Sequence, residues 1–178
     1  FQRMSQAKKD NPALRVVVID PRRTATCDIA DMHLAPRSGS DGILFNGLLA
    51  YLERHGHGHS QFIRHCTEGL TAALAAAQHS ASSIEQVARQ CGLTQDQVRA
   101  FYQAFAHTER TVTVFSQGIN QSISGTDKVN SIINCHLFTG RIGRAGMGPF
   151  SFTGQPNAMG GREVGGLANQ LAAHMEIE

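Results

Sequence analysis

Tryptophan is absent from the 178 residues, and charged residues, at 17 %, fall short of the roughly one quarter usual in soluble domains. Lys and Arg number 16 against 14 Asp and Glu, so a net charge of +2 supplies no strong field toward nucleic acid or an anionic membrane. No apolar run approaches the roughly 20 residues of a membrane span, and residues 1–15 lack the apolar core of a secretory signal. A soluble, internal protein is expected. Phe1 at the start and a helical pattern still running at Glu178 lead us to expect a piece of a larger chain. Cys27, Cys66, Cys91 and Cys135 form no C-x-x-C pair, which leaves a zinc ribbon or iron–sulfur cluster unsupported. They are expected to be small buried hydrophobes in a reducing compartment. A G-x-S-x-G elbow is missing as well, so a serine hydrolase is not indicated.

Hydrophobic residues reach 41 %, enough to exclude a disordered chain. Residues 2–11 are polar and helix-compatible. Residues 14–19 form a β-branched run, as a buried parallel strand requires, and it stops at Pro21, which cannot donate to a ladder. A second short strand is expected over 29–35, followed by a loop to Asp41. Ser40 or Asp41 can then cap a helix over 42–54. Further helices are expected over 61–65, 69–79, 83–91 and 94–106, with caps at Ser82 or Ser83 and at Thr94 and a stop at Gly92. Residues 111–115 form another strand, which runs into a loop over 116–121 and a helix over 126–138. This order is that of an α/β fold with a parallel sheet, whose ligands bind at the carboxyl ends of the strands. Nine of the 18 glycines lie at or beyond Gly140. Backbone so rich in glycine is expected to approach a ligand or another domain rather than fold by itself.

Two strand-end loops carry the chemistry. Asp20, Pro21, Arg22, Arg23 and Thr24 place a carboxylate, two guanidinium groups and a hydroxyl on one turn. A carboxylate accepts the paired N–H donors of guanine and arginine forks onto phosphate oxygens, so the set suits a guanine nucleotide diphosphate. Gly39, Ser40 and Asp41 repeat that logic at a helix N-terminus, which favours an anion. The plain alternatives are an ordinary turn and a simple cap. Residues 83–99 have the pattern of a helix-turn-helix, which keeps a nucleic-acid-binding regulator open. Its second helix brings only Arg99 as a cation, however, and a plain helical hairpin accounts for it better. His55, His57 and His59 alternate with glycine and could chelate zinc, yet no Cys, Asp or Glu pattern completes a site. They read as a solvated linker, and no metal ligand is assigned.

The run from Val16 to Thr24, then Ala30-Asp31-Met32-His33-Leu34 and Gly39-Ser40-Asp41, resembles the molybdopterin-guanine-dinucleotide-binding domain of the prokaryotic molybdopterin oxidoreductases. Gln117-Gly118-Ile119-Asn120-Gln121-Ser122, Gly125-Thr126-Asp127, Asn134 and Thr139-Gly140 are similar to it too. The stretch from Gly148 to Gly165 resembles the nitrate reductase branch, the cytoplasmic assimilatory catalytic subunits above all.

The resemblance implies a Rossmann-like three-layer α/β/α arrangement with a mostly parallel sheet, followed by a Gly-rich C-terminal stretch. Residues 1–140 would be part of the dinucleotide-binding domain and 141–178 a Gly-rich active-site or interdomain segment. It further implies molybdenum bis(molybdopterin guanine dinucleotide) and reduction of nitrate to nitrite by oxygen-atom transfer, with electrons from a [4Fe–4S] cluster. Asp20 to Thr24 and Gly39 to Asp41 would hold the guanosine and diphosphate of one dinucleotide. Gln117, Gly118, Asn120 and Gln121 would face the pterin and molybdenum, and Gln155 and Arg162 would act on nitrate. The ligands of cluster and metal would lie in other domains of the same chain, its principal partners besides an electron donor. Neither nucleic acid nor membrane is implied. These 178 residues alone are expected to be inactive and without cofactor. A formate dehydrogenase of the same family shares the 117–121 loop and is the alternative within the enzyme class. Gln117 stands where the periplasmic nitrate reductases often have Met, which favours the assimilatory or formate-like pattern.

Overall fold

The computed structural model describes residues 1–152; Gln155 and Arg162 lie outside the described residues. Helix α1 (Gln2–Asp10) leads to strand β1 (Val17–Ile19), a 3₁₀ turn (Ala25–Ile29) and β2 (Met32–Leu34). Five helices follow: α2 (Asp41–Arg54), α3 (Ser60–Cys66), α4 (Leu70–Ser80), α5 (Ile84–Cys91) and α6 (Gln95–His107). Then come β3 (Val112–Phe115), the one-turn α7 (Gln117–Asn120), α8 (Gly125–Phe138) and β4 (Gly148–Ser151). β1 and β2 pair in parallel with Val17 opposite Met32 and Ile19 opposite Leu34. β3 and β4 also pair in parallel, Val112 opposite Gly148 and Phe115 opposite Ser151. The fold is mixed α/β, mostly helical, with small parallel sheets. Among the described residues the strands form two separate pairs rather than one continuous sheet.

Helix α2 is the axis of the packing. Its Leu44, Leu48, Leu49 and Leu52 are buried against Val87 and Cys91 of α5, Val98, Phe101 and Tyr102 of α6, and Ile132 and Cys135 of α8. Each such large side chain contributes roughly 1.5–3 kcal/mol on burial. The Tyr102 hydroxyl donates to the Leu44 carbonyl at 2.7 Å, and burial pushes its pKa well up. The helix ends follow the capping residues. Ser83 accepts from the Gln86 amide, Thr94 and Gln97 form a reciprocal capping box, and α5 stops at Gly92 in the left-handed conformation. Cys27, Cys91 and Cys135 are buried as small hydrophobes; Cys66, at the end of α3, is exposed.

The Gly-rich end departs from the expectation in part. Residues 148–151 form β4, because a parallel ladder is made by backbone groups and needs little from side chains. Pro149, which has no N–H, is tolerated where that position does not donate. Arg141 anchors the approach to this strand. Its buried guanidinium donates to the carbonyls of Phe105 (2.6 Å) and Ala106 (3.0 Å) at the end of α6 and lies 4.9 Å over the Phe105 ring. On the other side of the β3–β4 pair, Val112, Val114, Phe150 and Phe152 are exposed.

Candidate functional site

β1 and β2 run in parallel, so the loops that follow them leave from the same edge. The first is tied to the second strand at its root. The Asp20 amide donates to the Leu34 carbonyl at 3.0 Å, and the His33 ring lies 2.9 Å from the Asp20 carbonyl. The Asp20 carboxylate accepts from the Arg22 amide at 2.7 Å, which folds the turn over itself. Pro21, Arg22 and Arg23 are exposed, while Thr24 is half-buried at the start of the 3₁₀ turn. Arg23 is 4.0 Å from Asp28, both side chains well exposed, a contact worth little in water. The two guanidinium groups therefore stand at the strand edge without a firm protein partner among the described residues.

The second loop is pinned from an element far along the chain. The Arg37 amide donates to the Cys91 carbonyl at 2.7 Å, and its guanidinium reaches the Arg89 carbonyl at 3.3 Å. The Cys91 thiol lies 3.7 Å from the Ser40 carbonyl, and burial pushes its pKa up. Gly39 is exposed with φ 89°, and Ser40 is buried at the N-cap of α2. Contrary to the expected cap, the Ser40 hydroxyl turns back and donates to the Arg37 carbonyl at 2.7 Å. Among the described residues no side chain caps α2. A 14-residue helix thus presents free N–H groups, and its positive end, at the carboxyl edge of β2.

Asp41, the first residue of α2, pairs with Lys128 of α8 at 3.4 Å. The Lys128 side chain is 8 % exposed and that of Asp41 17 %. This lysine is the residue the sequence reading missed; alone in a helical pattern it carried no signal. The pair joins the loop after β2 to the first turn of α8, directly beyond the segment that follows β3. That segment is not the open loop expected: Gln117, Gly118 and Asn120 form the single turn α7, with Gln121 at its end. All four are exposed. Gly125 fixes the turn against α8, since a Cβ there would lie 2.2 Å from the Asn120 carbonyl oxygen. The structure thus brings together Gly39, Ser40, Asp41 and Lys128, with Asp20 to Thr24 at the same strand edge.

The histidines of the 55–59 run disperse. His55 stacks on Tyr51 at 4.1 Å, His57 meets the His107 ring edge-on at 5.3 Å, and His59 caps α3 by accepting from the Phe62 amide. Desolvation, then His107, lowers the His57 pKa. Among the described residues no group of three or more His, Cys, Asp or Glu is arranged to hold a metal. A cavity of about 210 Å³ lined by His59, His107, Glu109, Arg141 and Arg144 lies by the start of β3, away from the strand-end loops.

The molybdopterin oxidoreductase family model matches residues 2–177. The chain belongs to this family. The family implies a molybdenum–molybdopterin cofactor. Among curated proteins, this molybdopterin oxidoreductase chain is 56 % identical to a nitrate reductase of Klebsiella oxytoca over 178 residues. It is 50 % identical to a nitrate reductase of Shewanella frigidimarina over 175. A formate dehydrogenase alpha subunit of Methanocaldococcus jannaschii is more distant, at 27 %. The matches cover 100 % and 98 % of this chain but 20 % and 19 % of the two nitrate reductases, so the chain spans about a fifth of their length. Acetylene hydratase from Pelobacter acetylenicus shares the fold, with a TM-score of 0.71 at 19 % identity over 82 % of this chain and 20 % of that one.

Proposed function

We propose that the chain is a cofactor-binding stretch of a cytoplasmic assimilatory nitrate reductase, which reduces nitrate to nitrite. The observation that carries this reading is the 56 % identity to a nitrate reductase along the whole chain. The 27 % likeness to a formate dehydrogenase makes the formate alternative the weaker one. The regulator alternative loses its ground because α5 and α6 are packed on α2 and α5 braces the 37–40 loop. The Arg99 that could meet a phosphate is paired with Asp96 at 2.8 Å. Among the described residues no helix is long and apolar enough to cross a membrane.

The residues present fit a guanine dinucleotide form of the cofactor. The uncapped N-terminus of α2 offers N–H donors to a diphosphate, and Arg22 and Arg23 offer guanidinium forks. Asp20 and Asp41 offer carboxylates to the N–H edge of guanine. Thr24, Gly39, Ser40 and Pro21 shape the backbone around them. Gln117, Gly118, Asn120 and Gln121, at the carboxyl end of β3, would lie toward the pterin. When bound, the molybdenum centre supplies the two-electron chemistry that nitrate reduction needs. Arg162 would hold the anion and Gln155 orient it, as a cation and an amide can. We assign 1–140 to the dinucleotide-binding domain and 141–178 to the active-site segment. The two parallel pairs would belong to a larger three-layer α/β/α sheet completed by other parts of a longer chain. A [4Fe–4S] cluster and an electron donor would be met there as well.

The test is the intact enzyme, analysed for molybdenum and guanosine nucleotide and assayed with nitrate and formate against a reduced or oxidised dye. Nitrate turnover is expected; a molybdenum-replete enzyme active on formate alone overturns the reading. Arg162→Ala should raise KM for nitrate by at least roughly tenfold, the worth of one charge-assisted contact. An unchanged KM refutes that role.

A further inference from the structure

Lys128 is an expensive residue where it stands. It lies in the first turn of α8, the end of a helix that disfavours a cation, and its side chain is 8 % exposed. Replacing a buried ion pair as a whole by apolar residues of similar volume is often neutral or stabilising, whereas removing one partner alone is costly unless the charge left behind finds another contact. Stability alone therefore gives no reason for a lysine. Its stem fits beside Gly42, where a Cβ would lie 3.6 Å from Lys128 Cγ, and its ammonium reaches Asp41 Oδ2 at 3.4 Å.

Asp41 has an alternative partner close at hand. It is the first residue of a helix whose leading N–H groups no side chain caps among the described residues, and a carboxylate in that first turn is drawn to them. Ser40, the other candidate cap, is held away by its bond to the Arg37 carbonyl. Lys128 draws the Asp41 carboxylate off its own helix. Among the described residues the N–H groups stay open for phosphate, and the carboxylate makes no bond to them and leaves Oδ1 without a partner.

We propose that Lys128 is the positioning residue of the nucleotide site: it keeps Asp41 from capping α2, and so keeps the base-reading carboxylate and the phosphate-binding helix end available together. This rests on the proposed guanine dinucleotide reading and assigns the device that makes the site selective for guanine. Without the lysine, Asp41 folds onto the helix end and fills both places at once. The helix gains a cap while the site loses its ligand, a combination that a purely structural role does not produce.

The experiment uses the full-length enzyme made without cofactor, titrated with GDP and with ADP, alongside its melting temperature. The natural chain is expected to prefer GDP. Lys128→Met should weaken GDP by roughly tenfold or more and erase the preference over ADP, with Tm unchanged or higher. Lys128→Arg, which can still reach the carboxylate, should restore GDP binding to within a few-fold. Asp41→Asn should lose the preference as Lys128→Met does, and Lys128→Gln repeats the test if the Met variant does not fold. A Lys128→Met enzyme that keeps its GDP preference overturns the role of Lys128 and leaves the site standing. A natural chain that binds ADP as well as GDP overturns the guanine reading itself, and this inference with it.

Discussion

Replacing Arg141 by Ala should loosen the end of α6 without unfolding the molecule. The guanidinium answers two carbonyls, Phe105 and Ala106, that the helix cannot pair internally, and it stacks on Phe105. Each carbonyl left buried and unpaired costs roughly 1–3 kcal/mol, and the lost stacking roughly 0.5–2 more. Against this stands relief from burying a cation; desolvation already lowers the Arg141 pKa. A net loss of about 3 kcal/mol is expected, which is a rise of roughly a hundredfold in the local opening constant. Hydrogen exchange on the intact enzyme reads this directly from the amides in the last turn of α6, which should lose that factor in protection. Arg141→Lys, with a single point charge and no fork, should recover about half of the free energy. Unchanged protection in the Ala variant would refute the reasoning. So would a Lys variant as poor as Ala, because the fork geometry would then be irrelevant.

A buried histidine makes stability pH-dependent. His136 is fully buried, its Nε2 meets Thr113 Oγ1 at 2.7 Å, its Nδ1 has no hydrogen-bond partner among the described residues, and desolvation pushes its pKa down to about 4. The folded chain then holds fewer protons than the unfolded one between pH 6.5 and 4. Stability that is full above 6.5 falls by about 3 kcal/mol as the pH drops to 4. Melting curves of the intact enzyme should show His136→Gln losing this slope; identical slopes would exclude the residue. Gly47→Ala sets a Cβ 2.3 Å from the Tyr102 hydroxyl and 2.6 Å from Val87, an overpacking expected to cost about 1–3 kcal/mol. Tyr102→Phe removes the first of those clashes, so the double variant should be less damaged than the two single losses add up to. Simple additivity would mean the helices separate instead.

Helix ends were the most legible feature in the sequence because capping is local chemistry. Ser83, Thr94 and Gly92 mark α5 and α6 by side-chain and backbone preferences that act within four residues. The strand-end loops were legible for a similar reason, a β-branched run meeting Asp20-Pro21 or Gly39-Ser40-Asp41. What escaped depends on partners distant along the chain. Lys128 reads as a surface residue until Asp41 is placed beside it, and Arg141 as one more loop cation until α6 ends against it. β4 was hidden by Gly148 and Pro149, since a ladder partner, not side-chain preference, makes that segment a strand. The Ser40 hydroxyl misled because the Arg37 carbonyl competes with the helix for it.

The face formed by Val112, Val114, Phe150 and Phe152 bears on how this stretch behaves in the hands of anyone who makes it alone. Four large apolar side chains on one side of a two-stranded pair form a sticky, flat patch that water wets poorly. Molecules meeting there would add layers rather than close into a ring, because the strand pair has open edges among the described residues and such edges invite more strands. Handling of the 178-residue piece should be limited by concentration and not by temperature: light scattering should grow with protein at constant circular dichroism. Charge introduced at Val112 or Val114 should clear the solution while leaving the fold in place.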